Sequence, residues 1–415
     1  MVLSCSNNWA IQDIISKIMY TFVEKCGHKS PASLTLLYIQ LVKEECVRRL
    51  LDSGLDFALY RFPGEKEPHL VLQTSGEAQA LEPTHSGASN ANSGTLLPCN
   101  EPSGFVFAPF IETAKIPTLL IRPDVAVSGW ELIDLETREL GKHRRVSLSS
   151  IELEDRTADI EESDGYKVAF RSFKYQLDRE NYQKLVLSFS QLKDWEGAGR
   201  EDELFVRATE RFPNSMVYLV YTRHGGRWFG CTPELLLEGY GMKWHTMALA
   251  GTRTWEHGDW NTKNIHEQRI VSDYIEGQLQ SLGARITRQG PYTSKAGHLY
   301  HLRTDYTFHL NKPTSPLKIL QLLHPTPALC GLPKMEAWNF IRLFERNRRM
   351  YYGGYLGPLN LRAETNIFVN IRCAQIRPGG KALFFAGGGL TRNSIFSEEK
   401  DEIKRKMDTL LAALS

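Results

Sequence analysis

Two hydrophobic periods alternate along this chain. From Ser33 to Leu51 apolar positions recur at helical spacing and Gly54 supplies a stop signal, so residues 1–53 are predicted to be mostly helical. FALYRFPG (57–64) and HLVLQ (69–73) read as two strands around a Pro-Gly turn, and FVFAPF (105–110) as another. Between them, residues 74–103 are rich in Ser, Gly, Ala, Asn and Pro without periodicity, which predicts a long loop. Residues 142–166 carry many charges and read as a polar connection. Beyond Asp178, KLVLSF (184–189) is a strand, and MVYLVYTR (216–223) and RWFGCT (227–232) flank a hairpin turn at His224-Gly225-Gly226. YHLRTDYTFHL (300–310) alternates, placing Tyr300, Leu302, Thr304, Tyr306, Phe308 and Leu310 on one face of an antiparallel strand. Helical spacing returns at about 262–281, 333–347 and 397–413. Strands in series with interspersed helices predict an α+β fold, an α/β sandwich, and not regular βαβ units. The division expected is an N-terminal helical segment, 1–53, ahead of a single domain, 54–415.

Composition narrows the class. The chain has 415 residues, 42% hydrophobic and 24% charged, which is ordinary for a globular protein and excludes a disordered chain or a fibre. Fifty basic against 48 acidic residues leave a formal charge of +2, so nothing draws the whole molecule to nucleic acid or an anionic membrane. Seven widely spaced cysteines without C-x-x-C argue against a disulfide framework or a zinc site and fit a reducing compartment. No basic-then-apolar leader and no run of about 20 apolar residues is visible, so a cytoplasmic protein is expected.

Candidate chemistry concentrates in the second half. On the C-terminal helix Ile403, Met407, Leu410 and Leu411 form an apolar stripe, and Glu399, Glu402 and Lys406 fall on a neighbouring face at i, i+3 and i+7. That face is either a solvated charged surface or a pair of carboxylates for a hard divalent cation beside a lysine for an anion. Just upstream, LFFAGGGL (383–390) ends a strand in Gly387, Gly388 and Gly389. These residues either make a turn or, lacking side chains, let backbone amides approach a carboxylate or phosphate. Glu267 sits one helical turn before Val271 on an otherwise apolar side, costly unless paired or metal-bound, or else it is a helix-flank residue. Lys184 opens an apolar strand and Glu234 follows Thr232-Pro233 at the entrance to another. Buried near charges, either side chain would suit proton transfer; exposed, neither would.

Taken in order, KLVLSF, FGCTPELLL, LAGTR, the helix bearing His266-Glu267, LLHPTPALCGLP, VNIRCAQI, FAGGGL and the E-x-x-E-x-x-x-K helix resemble the chorismate-utilising enzymes. That family includes anthranilate, aminodeoxychorismate, salicylate and isochorismate synthases. The resemblance is strong from Lys184 to Leu411 and weak from about Phe57; it implies the chorismate-binding fold, two large antiparallel sheets with outer helices. It also implies Mg²⁺ bridging Glu267 and Glu402 to a substrate carboxylate, with Glu399 near the metal through water. Arg372, Lys406 and the Gly387–Gly389 amides would take substrate carboxylates, with Thr252 and His324 lining the same pocket. Chorismate, a small-molecule dianion, would be the partner, and a monomer is the default.

Family members differ in their nucleophile. Ammonia-adding members tend to have Gln where this chain has Lys184, and aminodeoxychorismate synthases have Lys where it has Ala250. Lys184 with Ala250 resembles the members that use water: Lys184 as base, Glu234 as acid, isochorismate as product. HPTPALCG (324–331) looks more like isochorismate than salicylate synthases. The product would feed menaquinone biosynthesis, or a catechol siderophore. A salicylate synthase, which continues to pyruvate loss, and an inactive chorismate-binding subunit or regulator are the alternatives. Two positions depart from the family pattern: Gln268 stands where histidine is usual, and Phe189 where arginine is common.

Overall fold

Strand Asp56–Arg61 shows how the architecture arises. It is buried along its whole length, and its side chains alternate between two cores. Phe57 and Leu59 join Cys46, Val47 and Leu50 of helix Pro31–Ser53 and Leu204, Phe205 and Ala208 of helix Glu201–Arg211. Ala58 and Tyr60 face the other way, onto Phe105 and Phe107 of a second sheet. A strand buried on both faces must be apolar at nearly every position, and each large side chain so buried stabilises the fold by roughly 1.5–3 kcal/mol.

The computed structural model describes residues 31–81, 101–142, 164–195, 199–296, 299–345 and 347–414. Two nine-stranded sheets form the body. The first runs Gly331–Leu332, Lys184–Asp194, Lys381–Leu390, Cys373–Arg377, Gly226–Thr232, Met216–Thr222, Asp56–Arg61, His69–Gln73, Val125–Ser128. The second runs Arg285–Ala296, Leu299–His309, Lys243–Arg253, Leu235–Tyr240, Thr365–Val369, Tyr355–Leu359, Gly104–Ala108, Leu119–Ile121, Gln79–Ala80. Every strand pair is antiparallel, and the fold is α+β.

Helix Thr262–Ser281 starts where the Asn261 side chain accepts from the Asn264 amide, an N-cap that satisfies one free donor. It packs on strand Lys243–Arg253 of the second sheet, whereas helix Phe396–Leu414 packs on strand Lys381–Leu390 of the first. Each helix carries a glutamate, Glu267 or Glu402, into the wall of one pocket shared by the two sheets.

Several expectations need adjustment. Helix Pro31–Ser53 is part of the packed body, tied by Arg48 to Asp202 and by Arg49 to Asp134, both at 2.6 Å. Helices Trp130–Arg138, Asp164–Asp178, Glu201–Arg211 and Pro316–Leu323 lie where no helix was anticipated. Strand Leu299–His309 keeps Leu302, Thr304, Tyr306 and Phe308 buried, but at its start His301 is the buried residue and Tyr300 turns out to Glu256. The neighbouring strand has a register shift between Ala250 and Arg253, which breaks the alternation there. Most of the anticipated 74–103 loop and of the 142–166 connection lies outside the described residues.

Candidate active site

A pocket partly open to solvent is lined by residues of both sheets, mixing apolar side chains with a few convergent polar groups, as ligand sites do. The first sheet contributes Val186, Phe385, Ala386, Gly387 and Gly389 to its wall. From the second come Leu249, Ala250, Gly251, Thr252 and His301, and the two helices add Glu267, Glu402 and Lys406. Gly251 has φ +69° at the register shift, so the chain folds outward there and presents Thr252 to the cavity.

Glu234 lies in this wall, 4% exposed, between the end of one strand pair and Val369, whose amide bonds its carbonyl. Burial pushes its carboxyl up to about 7, against the opposing pull of Lys184, Arg372 and Lys406. A carboxylic acid half-protonated near neutrality is a competent proton donor.

Lys184 is fully buried and pairs with Glu267, Nζ to Oε1 2.7 Å. It sits immediately behind Gly389, where a Cβ would meet its Cε at 2.6 Å. Glu402 is paired with Lys406 at 2.8 Å, and Lys406 also donates to the Gly387 carbonyl at 2.9 Å. Burial opposes ionisation of Glu402, but Lys406, with Lys263 and Arg405, outweighs it and holds the carboxyl below its usual range. Glu399 is buried and takes an ion pair from Lys263. Burial, and then the neighbouring Glu402, raise its carboxyl.

Arg372 is buried, with φ +50°, an uncommon conformation of the kind that clusters at functional sites. It donates to the Ala296 carbonyl at 2.8 Å and to His301 Nε2. Since a guanidinium only donates, His301 accepts at Nε2 and carries its proton on Nδ1, which donates to the Gly251 carbonyl at 2.7 Å. Burial, then Arg372, depress the imidazole well below its ordinary value, so it is neutral. Arg349, also in the wall, is clamped to Glu345 and donates to the Leu329 and Val186 carbonyls at 2.7 and 2.8 Å. Glu345 in turn accepts from the Ser188 amide at 2.7 Å, so this buried pair holds strand Lys184–Asp194 in place. The cavity wall thus joins Lys406, Arg349 and Arg372 with the carboxylates of Glu234, Glu267 and Glu402, and Lys184 abuts it through Glu267, an arrangement suited to an anion that exchanges protons.

Residues 128–415 match the model of the chorismate binding enzymes. The chain belongs to that family. Among its relatives are isochorismate synthase MenF of Pasteurella multocida, 33% identical over 199 residues, which are 45% of this chain and 46% of the relative. Vibriobactin-specific isochorismate synthase of Vibrio cholerae is 31% identical over 44% of this chain and 50% of the relative. The alignments therefore span about half the length of these relatives. Among solved structures, the menaquinone-specific isochorismate synthase MenF of Escherichia coli superposes with a TM-score of 0.64 at 20% identity, covering 88% of this chain and 89% of that one. Anthranilate synthase component I of Streptococcus pneumoniae follows the same fold, with a TM-score of 0.59 at 14% identity over 86% and 90%.

For this chorismate-binding enzyme the structure gathers Glu234, Thr252, Glu267, Arg372, Gly387, Gly389, Glu402 and Lys406 around one cavity, with Lys184 reaching it through Glu267 and Gly389. Three anticipated residues stand apart. His324 caps helix Pro316–Leu323, bonds the Gly353 carbonyl at 2.9 Å and lies between Phe110 and Tyr355, outside the cavity wall. Gly388 faces the opposite side of its strand, toward Glu399 and Ile403, because side-chain positions alternate. Glu399 is occupied by Lys263 behind the wall. The Gly387–Gly389 amides lie in a ladder with Ser188, Leu187 and Val186, which was not anticipated; past Phe384, however, the strand's other edge has no ladder partner among the described residues, leaving alternate amides free on that side. His301, Arg349 and Tyr352 went unnoticed in the sequence, since an isolated histidine, arginine or tyrosine carries no spacing signal. Both family departures are accommodated. Gln268 bonds the Ala248 carbonyl and Thr304, and Phe189 packs edge-on against Tyr166.

Among the described residues no three His, Cys, Asp or Glu side chains form a preassembled metal cage. Glu267 and Glu402 nonetheless fit a hard cation: both are carboxylate oxygen donors in the wall of the same cavity. Two carboxylates completed by substrate and water oxygens are a usual Mg²⁺ arrangement.

Proposed function

We propose that this chorismate-binding enzyme is an isochorismate synthase that requires Mg²⁺. The observation that carries this reading is Glu234, a buried carboxyl held up at about 7 in the same cavity that Lys184 abuts. Ala250 supports it: a methyl group in the wall supplies no nucleophile and leaves room for water.

In this reading Lys184 takes a proton from a water as its oxygen bonds to C2 of chorismate. The ring double bonds shift, the C4–O bond breaks, and Glu234 gives its proton to the departing hydroxyl, which leaves as water. One water enters and one leaves, so the reaction is an isomerisation. Arg372, oriented by neutral His301, and Lys406 hold substrate carboxylates, and the free Gly387–Gly389 edge adds amide donors. A divalent cation between Glu267 and Glu402 would neutralise a carboxylate that those glutamates alone would repel. The similarity to isochorismate synthases of menaquinone and siderophore pathways supports the product; the menaquinone route is preferred. A monomeric cytoplasmic enzyme completes the proposal. No helix among the described residues is long and apolar enough to cross a membrane.

The test is direct. Incubation with chorismate and Mg²⁺, with products separated by chromatography, should yield isochorismate. Salicylate with pyruvate would instead make it a salicylate synthase, and saturable binding without turnover would make it a regulator.

A further inference from the structure

Glu267 and Glu402 reach the cavity from helices that belong to different sheets: Thr262–Ser281 rests on the second, Phe396–Leu414 on the first. Nothing within either helix therefore sets the distance between the two carboxylates. One turn from each, the helices are joined. Lys263, four residues before Glu267, forms an ion pair with Glu399, three residues before Glu402. Both spacings place the paired residue on the same helix face as its carboxylate neighbour.

The pair is built to hold. Glu399 is fully buried and Lys263 is only 21% exposed at its side chain. Lys263 feels Glu399 most among its neighbouring charges, then Glu402 and Glu267, so it stands beside the whole acidic group. Gly388 leaves room beside the second Glu399 oxygen, which lies 3.4 Å from where a Cβ would stand. Charge alone does not explain the pair, because a lysine and a glutamate together present no net charge to a cation at Glu267 and Glu402. Its effect on that cation is geometric.

We propose that Lys263 is a positioning residue: by pairing with Glu399 it clamps the two helices and so fixes Glu267 and Glu402 at the separation a divalent cation needs. The inference rests on the metal role given above to Glu267 and Glu402.

The decisive variant is Lys263→Met/Glu399→Leu, which removes the clamp with no change in net charge and with similar side-chain volume. Replacing a buried ion pair by apolar residues is often neutral for stability, so the fold should survive. Isothermal titration of the full chain with Mg²⁺ should show an affinity 10–100-fold below wild type, the range for loss of a group that orients metal ligands. Lys263→Arg, which can still pair with Glu399, should recover most of the affinity. A double variant with lowered Tm and unchanged Mg²⁺ affinity would show a merely structural pair and overturn the proposal. Wild-type protein that binds no Mg²⁺ would overturn the metal reading itself, a result distinguishable from failure of the clamp alone.

Discussion

At the scale of single residues the environment, more than identity, decides the chemistry. Glu234 is one of 48 acidic residues, and only its burial makes it a proton donor near neutrality. Two consequences follow. If Glu234 acts as the acid, kcat should fall as pH rises through about 7, and Glu234→Gln should lose about 10²–10⁴ in rate with that pH dependence removed. The same shift bears on stability: its carboxyl lies above the ordinary value of 4.5 in the fold, so its contribution is full below 4.5 and lost as pH climbs through about 7. Glu234→Gln should therefore melt increasingly above wild type as pH goes from 5 to 8, and a constant difference would contradict the burial argument. Lys184→Ala should abolish turnover yet leave Mg²⁺-dependent chorismate binding measurable by calorimetry. Wild-type turnover in that variant would remove Lys184 from the role of base.

Between residue and fold, strand Lys381–Leu390 shows how an element carries function through its alternation. Its three glycines look equivalent in the sequence, but pleating assigns them opposite faces. A Cβ at Gly389 would collide with Glu267 and with Lys184 Cε, whereas one at Gly388 would meet Glu399 at ordinary contact distance. Gly389→Ala should then displace the Lys184–Glu267 pair and cost about a hundredfold in kcat/KM, the scale of a 1 Å misplacement. Gly388→Ala should be far milder, and steady-state kinetics of the two variants separate the faces. Elements with strong periodicity were legible beforehand: helix Thr262–Ser281 and the strand at 69–73 stand where their patterns put them, and the strand read at 184–189 runs on to Asp194. Helix Asp164–Asp178 was not, because its charged flank masks an apolar stripe of Tyr166, Phe170, Phe173 and Leu177 that only packing reveals.

For the molecule as a whole, the first sheet needs cover on its outer face, and helix Pro31–Ser53 provides it. A chain beginning at Gly54 would expose Phe57, Leu59, Leu204 and Phe205, large apolar residues that pack around Cys46, Val47 and Leu50. Such a truncation should lose cooperative thermal unfolding, followed by circular dichroism. A sharp transition close to that of the full chain would instead support the boundary at residue 53 read from the sequence. The same whole-molecule logic explains the candidate active site. Its wall is drawn from both sheets and two helices, so no one segment contains it.

What the sequence determined by itself was local or composite: the α+β class from its mixture of periods, the family from motifs in fixed order, and residue types suited to a dianion and a hard cation. Those properties depend on chemistry and spacing, which the linear chain displays. Tertiary structure alone decided which of those residues meet. It turned Gly388 toward Glu399 and away from the cavity, set His324 against Phe110 and Tyr355, and brought in His301 and Arg349. The reason is physical: burial, pairing and the free edge of a strand are properties of neighbours distant along the chain, and they exist only once the two sheets have closed on each other.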